Sequence, residues 1–218
     1  MMKARFIALS LLLIAAVSAA TLYAWPQLPE VVAVHWNYHG EADGYAPRAV
    51  LWLLGPGLMA FMLLMALMLP GLSPRRFEVE PFAPTFYYSF LVVQGLLAYV
   101  HGLVLASAVG MAVPISRAVP AGLLVMLVLA GNPMGKLRRN FYLGIRTPWT
   151  LASERVWYAT HRLAGRLMVG SGLLGLVALA LGAPGWLLSV LALAWVPLVI
   201  LYSLLQYKRL DKNQVEMH

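Results

Sequence analysis

Six long apolar runs separated by short polar segments set the limits on what this 218-residue chain can fold into. A helix needs about 20 apolar residues to cross the hydrocarbon of a bilayer, where every backbone polar group must be satisfied within the segment. The first run follows Lys3 and Arg5 and continues to Trp25. Val17-Ser18-Ala19 imitates a signal-peptide cleavage site, but the run outlasts the roughly 7–15 residues of a signal core and reads as a retained span. The other runs are Val50–Leu69, Phe86–Ala108, a fourth beginning near Ser116 and interrupted by Arg117 and Pro120, Leu167–Leu181, and Trp186–Tyr207 beyond the turn Ala183-Pro184-Gly185.

The expected fold is an all-α integral membrane protein, a six-transmembrane-helix bundle with a small folded extracellular loop and a basic cytoplasmic loop. Residues 1–70 hold the first two spans and the outer loop (26–48), and residues 71–130 hold spans three and four. Residues 131–218 hold the inner loop (131–161), spans five and six and a basic tail. No internal repeat of the kind common in transporters relates the two sets of three spans.

Composition agrees, since 61% hydrophobic and 11% charged residues with a mean hydropathy of +0.78 lie far from the balance of a soluble domain. In a soluble protein a net charge of +8 would point to nucleic acid. In a membrane chain the placement of cations follows topology first, so no direct nucleic-acid partner is expected and membrane lipid is. With the N-terminus inside, fourteen of the sixteen Lys and Arg residues fall on the inner side, and Arg48 and Arg117 stay outside. That pattern predicts a multi-pass protein of the cell (inner) membrane with both termini cytoplasmic. The absence of cysteine excludes disulfide and thiolate chemistry. All eight acids fall outside the apolar runs and no H-E-x-x-H occurs, so an intramembrane metal-dependent enzyme lacks its chemistry and no catalytic residue or cofactor is expected.

Recognition groups concentrate in two polar segments. The inner one, Gly131–Arg166, holds seven of the cations. Asn132-Pro133 ends the fourth span, and Gly144 and Thr147-Pro148 break the chain again, so Lys136–Trp149 reads as an ordered loop. Thr150 or Ser153 then caps a helix with Glu154 in its first turn. Glu154, Trp157, His161 and Gly165 share one side of that helix, while Arg155, Arg162 and Arg166 lie elsewhere around it. Two readings stand: the arginines anchor in anionic headgroups with Trp149 and Trp157 at the interface, or Asn140, Arg146, Trp149, Glu154 and His161 form a docking site between the inner ends of spans four and five.

The outer loop begins with a β-prone run, Val31–Trp36, and breaks at Asn37, Gly40 and Gly44. His35, His39, Glu41 and Asp43 are weak metal candidates, because imidazoles and carboxylates this close in sequence can converge on zinc, yet Asn37, Asp43 and Gly44 are equally what tight turns require. Packing of His35 and Trp36 on the span ends and contact with an extracellular peptide are the other readings. Within span three, His101 is an intramembrane ionisable group, either functional or bonded to a neighbouring helix, with Gln94 nearby.

The inner segment GNPMGKLRRNFYLGIRTPWTLASERVWYATHRLAG resembles the signature of the SdpI family of bacterial membrane proteins. The outer loop LPEVVAVHWNYHGEADGY is similar to a short domain signature, HWN then Gly then Asp-Gly, that follows a first membrane span. Carried onto this sequence, the resemblance marks Arg139, Asn140, Gly144, Arg146, Thr147, Pro148, Trp149, Thr150, Glu154, Trp157, His161 and Arg162 inside, and His35, Trp36, Asn37, Gly40, Asp43 and Gly44 outside. It implies a toxin-immunity protein that protects against a secreted antimicrobial peptide and acts as a receptor holding a small cytoplasmic repressor at the membrane. A membrane transporter or lipid-handling protein is the alternative, resting on His101 and the broken fourth span.

Overall fold

In the computed structural model, which describes residues 2–37 and 39–215, six helices are long and apolar enough to cross a membrane. They correspond in order to the six apolar runs. The first is α1 (Met2–Ala24) and the third is α4 (Ala83–Ala108). These two lie side by side and run the same way, because Phe6 stacks on Tyr87 at one end and Thr21 bonds His101 at the other.

The second span is composite: α2 (Val50–Trp52), one turn of π-helix (Leu53–Gly57) and α3 (Leu58–Leu72). Pro56 has no N–H to give to the helical ladder, and the wider turn accommodates that loss. The bare Cα of Gly55 sits against the His101 ring, where any Cβ would overlap Nδ1.

The fourth span is α5 (Ile115–Gly131), and Pro120 lies inside it without ending it. Its main partner is α7 (Glu154–Ala180), one continuous helix that carries both the capped start expected after Ser153 and the apolar body expected from Leu167. Glycines set the spacing of this pair. A Cβ on Gly165 would stand 2.7 Å from the Gly131 carbonyl oxygen, and one on Gly172 would stand 2.8 Å from that of Leu124. Small residues replace the missing hydrophobic drive in a bilayer with close backbone approach. The sixth span is α8 (Gly185–Leu193) and α9 (Trp195–Val215), separated by Ala194, an interruption that the apolar run Trp186–Tyr207 does not announce.

Three apolar clusters tie the bundle together. One at the N-terminal end of α1 joins Phe6, Ala66, Phe86, Phe90, Leu137 and Trp157. One near the other end of α1 joins Ala24, Leu28, Val32, Leu51 and Leu105. The third holds α5, α7 and α8 through Leu124, Leu127, Met168 and Leu188. The only sheet among the described residues is a hairpin, β1 (Val31–Trp36) antiparallel to β2 (Ala42–Pro47).

Candidate functional site

The two polar segments occupy opposite ends of the bundle. At the basic end, the segment after α5 is a short 3-10 turn (Met134–Lys136), a loop, and a five-residue helix α6 (Pro148–Ala152). The sequence reading takes Lys136–Trp149 as loop throughout; in the structure Lys136 closes the 3-10 turn, and the last two residues, Pro148 and Trp149, begin α6. Its signal was present, since Thr147 caps it, accepting from the Thr150 amide, and Pro148 at the first position lacks only an N–H that the helix does not use. Ser153 caps α7 through the Val156 amide.

Several of the motif residues are turned inward and satisfied. Asn140 is fully buried. Its amide donates to the carbonyls of Arg138 (2.8 Å) and Leu143 (3.3 Å), and its oxygen accepts from the amides of Tyr142 and Leu143, each at 2.7 Å. Trp157 is buried, donates through Nε1 to the Leu137 carbonyl at 2.8 Å, and stacks on His161 with ring centroids 4.0 Å apart. His161 Nδ1 lies 2.8 Å from the Trp157 carbonyl, and Nε2 accepts the Ile145 amide at 2.9 Å. This bonding assigns the proton to Nδ1. Thr150 is buried and donates to the Ile145 carbonyl at 2.8 Å. Gly144 has φ +96°, a left-handed conformation, and packs on the His161 ring.

Other motif residues tie this knot to its surroundings. Arg139 donates to the Leu151 carbonyl at 3.0 Å, closing the C-terminal end of α6, and lies 5.5 Å over the Phe77 ring. The Trp149 indole donates to Ser203 on α9, and Arg146 donates to the Phe141 carbonyl. Arg146, Pro148, Glu154 and Arg162 are exposed. Of the five residues grouped as a docking site, Asn140 and His161 therefore have no surface to offer a partner; Arg146 and Glu154 do, with Trp149 half-buried.

At the hairpin end, Asn37 organises the turn. Its side-chain oxygen accepts from the amides of His39 (2.9 Å) and Glu41 (3.1 Å), and its amide donates to the Glu41 carboxylate at 2.9 Å. Gly40 takes φ +85° beside Ser116 at the start of α5. His35 Nδ1 and Asp43 Oδ1 are 2.5 Å apart, with side chains 72% and 45% exposed. Gly44 lies opposite His35, where a Cβ would come within 2.7 Å of the histidine Cβ. Among the described residues no group of three or more His, Asp or Glu side chains is gathered for a metal ion.

Arg48 fastens the hairpin to the bundle by donating to the Trp25 and Leu28 carbonyls and lying 4.8 Å over the Trp25 ring. Between the hairpin and the spans is a cavity of about 350 Å³. His35, Trp36 and Asn37 line it from the hairpin, Ser116 and Pro120 from α5, and Trp186 from α8. The participation of Trp186 carries no sequence signal, because it comes from a span 150 residues away from the loop it faces.

His101 is buried inside α4, with Nε2 2.8 Å from Thr21 Oγ1, which itself donates to the Val17 carbonyl. Gln94 is buried and donates to the Met59 carbonyl at 3.2 Å. Both polar groups thus bridge neighbouring spans.

Two family models match separate parts of the chain. Residues 136–203 match the SdpI/YfhL protein family, and residues 11–60, which include the hairpin, match a domain of unknown function, DUF1648. The chain is 25% identical over 218 residues to "Immunity protein SdpI" of Bacillus subtilis (strain 168), covering 98% of this chain and 100% of that protein. No solved structure matches. The part of this six-span chain that holds the motif knot is thus similar to the SdpI/YfhL family, and the chain as a whole is similar from end to end to an SdpI protein.

Proposed function

We propose that this protein confers immunity by meeting a secreted antimicrobial peptide at the hairpin end of the bundle, and that it reports the encounter to a repressor protein at the basic end. The observation that carries the reading is the cavity of about 350 Å³ roofed by His35, Trp36 and Asn37 and walled by Trp186, in a chain similar from end to end to an immunity protein. Two indole rings, an imidazole and an amide at the rim of a membrane bundle suit an amphipathic peptide better than a small polar solute. The cation distribution supports a cell-membrane orientation with both termini cytoplasmic and the hairpin outside.

A route between the two ends is available in α5. Its first turn, at Ser116, abuts Gly40 of the hairpin, and its last residue, Gly131, packs on Gly165 of α7 beneath the motif knot. A peptide that displaced the hairpin would act on α5 directly, and α5 would change how Arg139, Arg146 and Trp149 are presented. The test is survival of a sensitive bacterium producing this chain under challenge with secreted toxic peptides. Trp186→Ala and His35→Ala are expected to lose protection at unchanged membrane abundance; protection retained in both would overturn the outer-site reading.

A further inference from the structure

The basic end carries a second concavity that the motif knot does not use. Where α5 ends against α7, a groove of about 500 Å³ opens beside Asn132, Gly135, Arg162, Arg166, Val169 and Gly170. Arg162 and Arg166 are one helical turn apart on α7, so both guanidiniums rise on the same side of it. Their situation differs from that of Arg48, Arg117, Arg139 and Arg146, each of which donates to a backbone carbonyl. Among the described residues no hydrogen bond or ion pair engages the guanidinium of Arg162 or Arg166, and no acid lines the groove.

Glycines shape the space. Gly135 lets the Arg162 stem lie close, since a Cβ there would be 3.3 Å from Arg162 Cγ, and at Gly170 a Cβ would meet nothing within 4 Å. The groove thus has a cationic mouth and, one turn further into the span, a floor of Val169 and Gly170. Two planar guanidiniums in one concavity match the oxygens of a phosphate group. The apolar continuation into a membrane-spanning helix favours a phosphate carried by a lipid over one free in solution.

We propose that this groove is a binding site for an anionic phospholipid, its headgroup phosphate held by Arg162 and Arg166 and its glycerol end resting on Val169 and Gly170. The site lies against the α5–α7 contact, so its occupant would stiffen the junction on which the motif knot stands.

The experiment is native mass spectrometry of the full chain released from detergent micelles with phosphatidylglycerol or phosphatidylcholine, paired with thermal unfolding in millimolar inorganic phosphate. Wild type and the control Arg155→Gln are expected to retain phosphatidylglycerol over phosphatidylcholine. The double variant R162Q/R166Q is expected to retain it about tenfold less, given the worth of each basic residue at an anionic surface. Gly170→Leu, which fills open space and leaves both arginines in place, is expected to reduce retention as well and decides the matter should the double variant not fold. Equal retention of phosphatidylglycerol by wild type, the double variant and Gly170→Leu overturns the proposal, as does equal retention of the two lipids by wild type. Stabilisation by inorganic phosphate that depends on both arginines, without lipid retention, overturns it in favour of a free anion.

Discussion

The bare Cα of Gly144 lies against the ring of His161, so close that any side chain there would overlap Nε2, the atom that accepts the amide of the next residue, Ile145, at 2.9 Å. Glycine is required twice over at this position, once by contact and once by φ +96°. Gly144→Ala is expected to lower stability by about 1–3 kcal/mol, the usual cost of a strained left-handed non-glycine residue with a clash added. Thermal unfolding in detergent micelles reads it, with Gly170→Ala as the control that meets open space. Equal midpoints for the two variants would remove Gly144 from the knot.

His161 does two jobs that a ring alone cannot do. Its Nδ1–H donates to the Trp157 carbonyl and its Nε2 receives the Ile145 amide, while its face covers the Trp157 indole. His161→Phe keeps the stacking surface and leaves the Ile145 amide without its acceptor, which is expected to cost about 1–3 kcal/mol. Native-state hydrogen exchange at Ile145 checks this site by site: that amide is expected to be protected in wild type and to exchange faster in the variant, with the interior of α7 little changed. An unchanged Ile145 rate would mean that another acceptor holds it.

The spans were readable because apolar runs of bilayer length admit little else, and the hairpin's first strand was readable from Val31–Trp36. Its partner, Ala42–Pro47, was not, since a strand containing Asp43, Gly44 and Pro47 has no apolar alternation and exists by pairing with β1. The π-turn at Gly55-Pro56 and the interruption at Ala194 depend on what packs against them and leave no periodic trace. At the site, the motif was legible as a block but its roles were not. Asn140 and His161 look in sequence like groups ready for a partner, and only the fold shows their polar atoms turned to backbone amides and carbonyls within the same 30 residues.

Thr21 and His101 join the first and third spans through one hydrogen bond, 2.8 Å long, toward the hairpin end of both helices. Thr21→Val preserves shape and takes away the partner of Nε2. Interhelical bonds of this kind contribute about 0.6 kcal/mol on average and up to about 1.7, so a loss in that range is expected. Gly55→Ala should cost more, because the Cβ would push directly on the His101 ring from the π-turn. Unfolding titrations in mixed micelles rank the two variants, and the reverse order would mean that the π-turn moves aside without resistance.

Arg146 separates function from fold most cleanly at the basic end. It is exposed, and among the described residues its one side-chain hydrogen bond is donation to the Phe141 carbonyl within the same loop, so Arg146→Ala is expected to change stability by no more than about 1 kcal/mol. Its guanidinium nevertheless stands on the surface that the knot of Asn140, Trp157 and His161 holds rigid. On the proposed function, the variant accumulates in the membrane at the wild-type level and still protects cells, because the toxin-facing cavity at the other end is untouched, but it no longer recruits the cytoplasmic partner. Co-purification from membranes with and without peptide challenge measures recruitment, and survival measures protection. Loss of both activities at normal abundance would join the two ends into one site, and retention of both would move the partner surface away from Arg146, to be sought next at the exposed motif residues Pro148, Glu154 and Arg162.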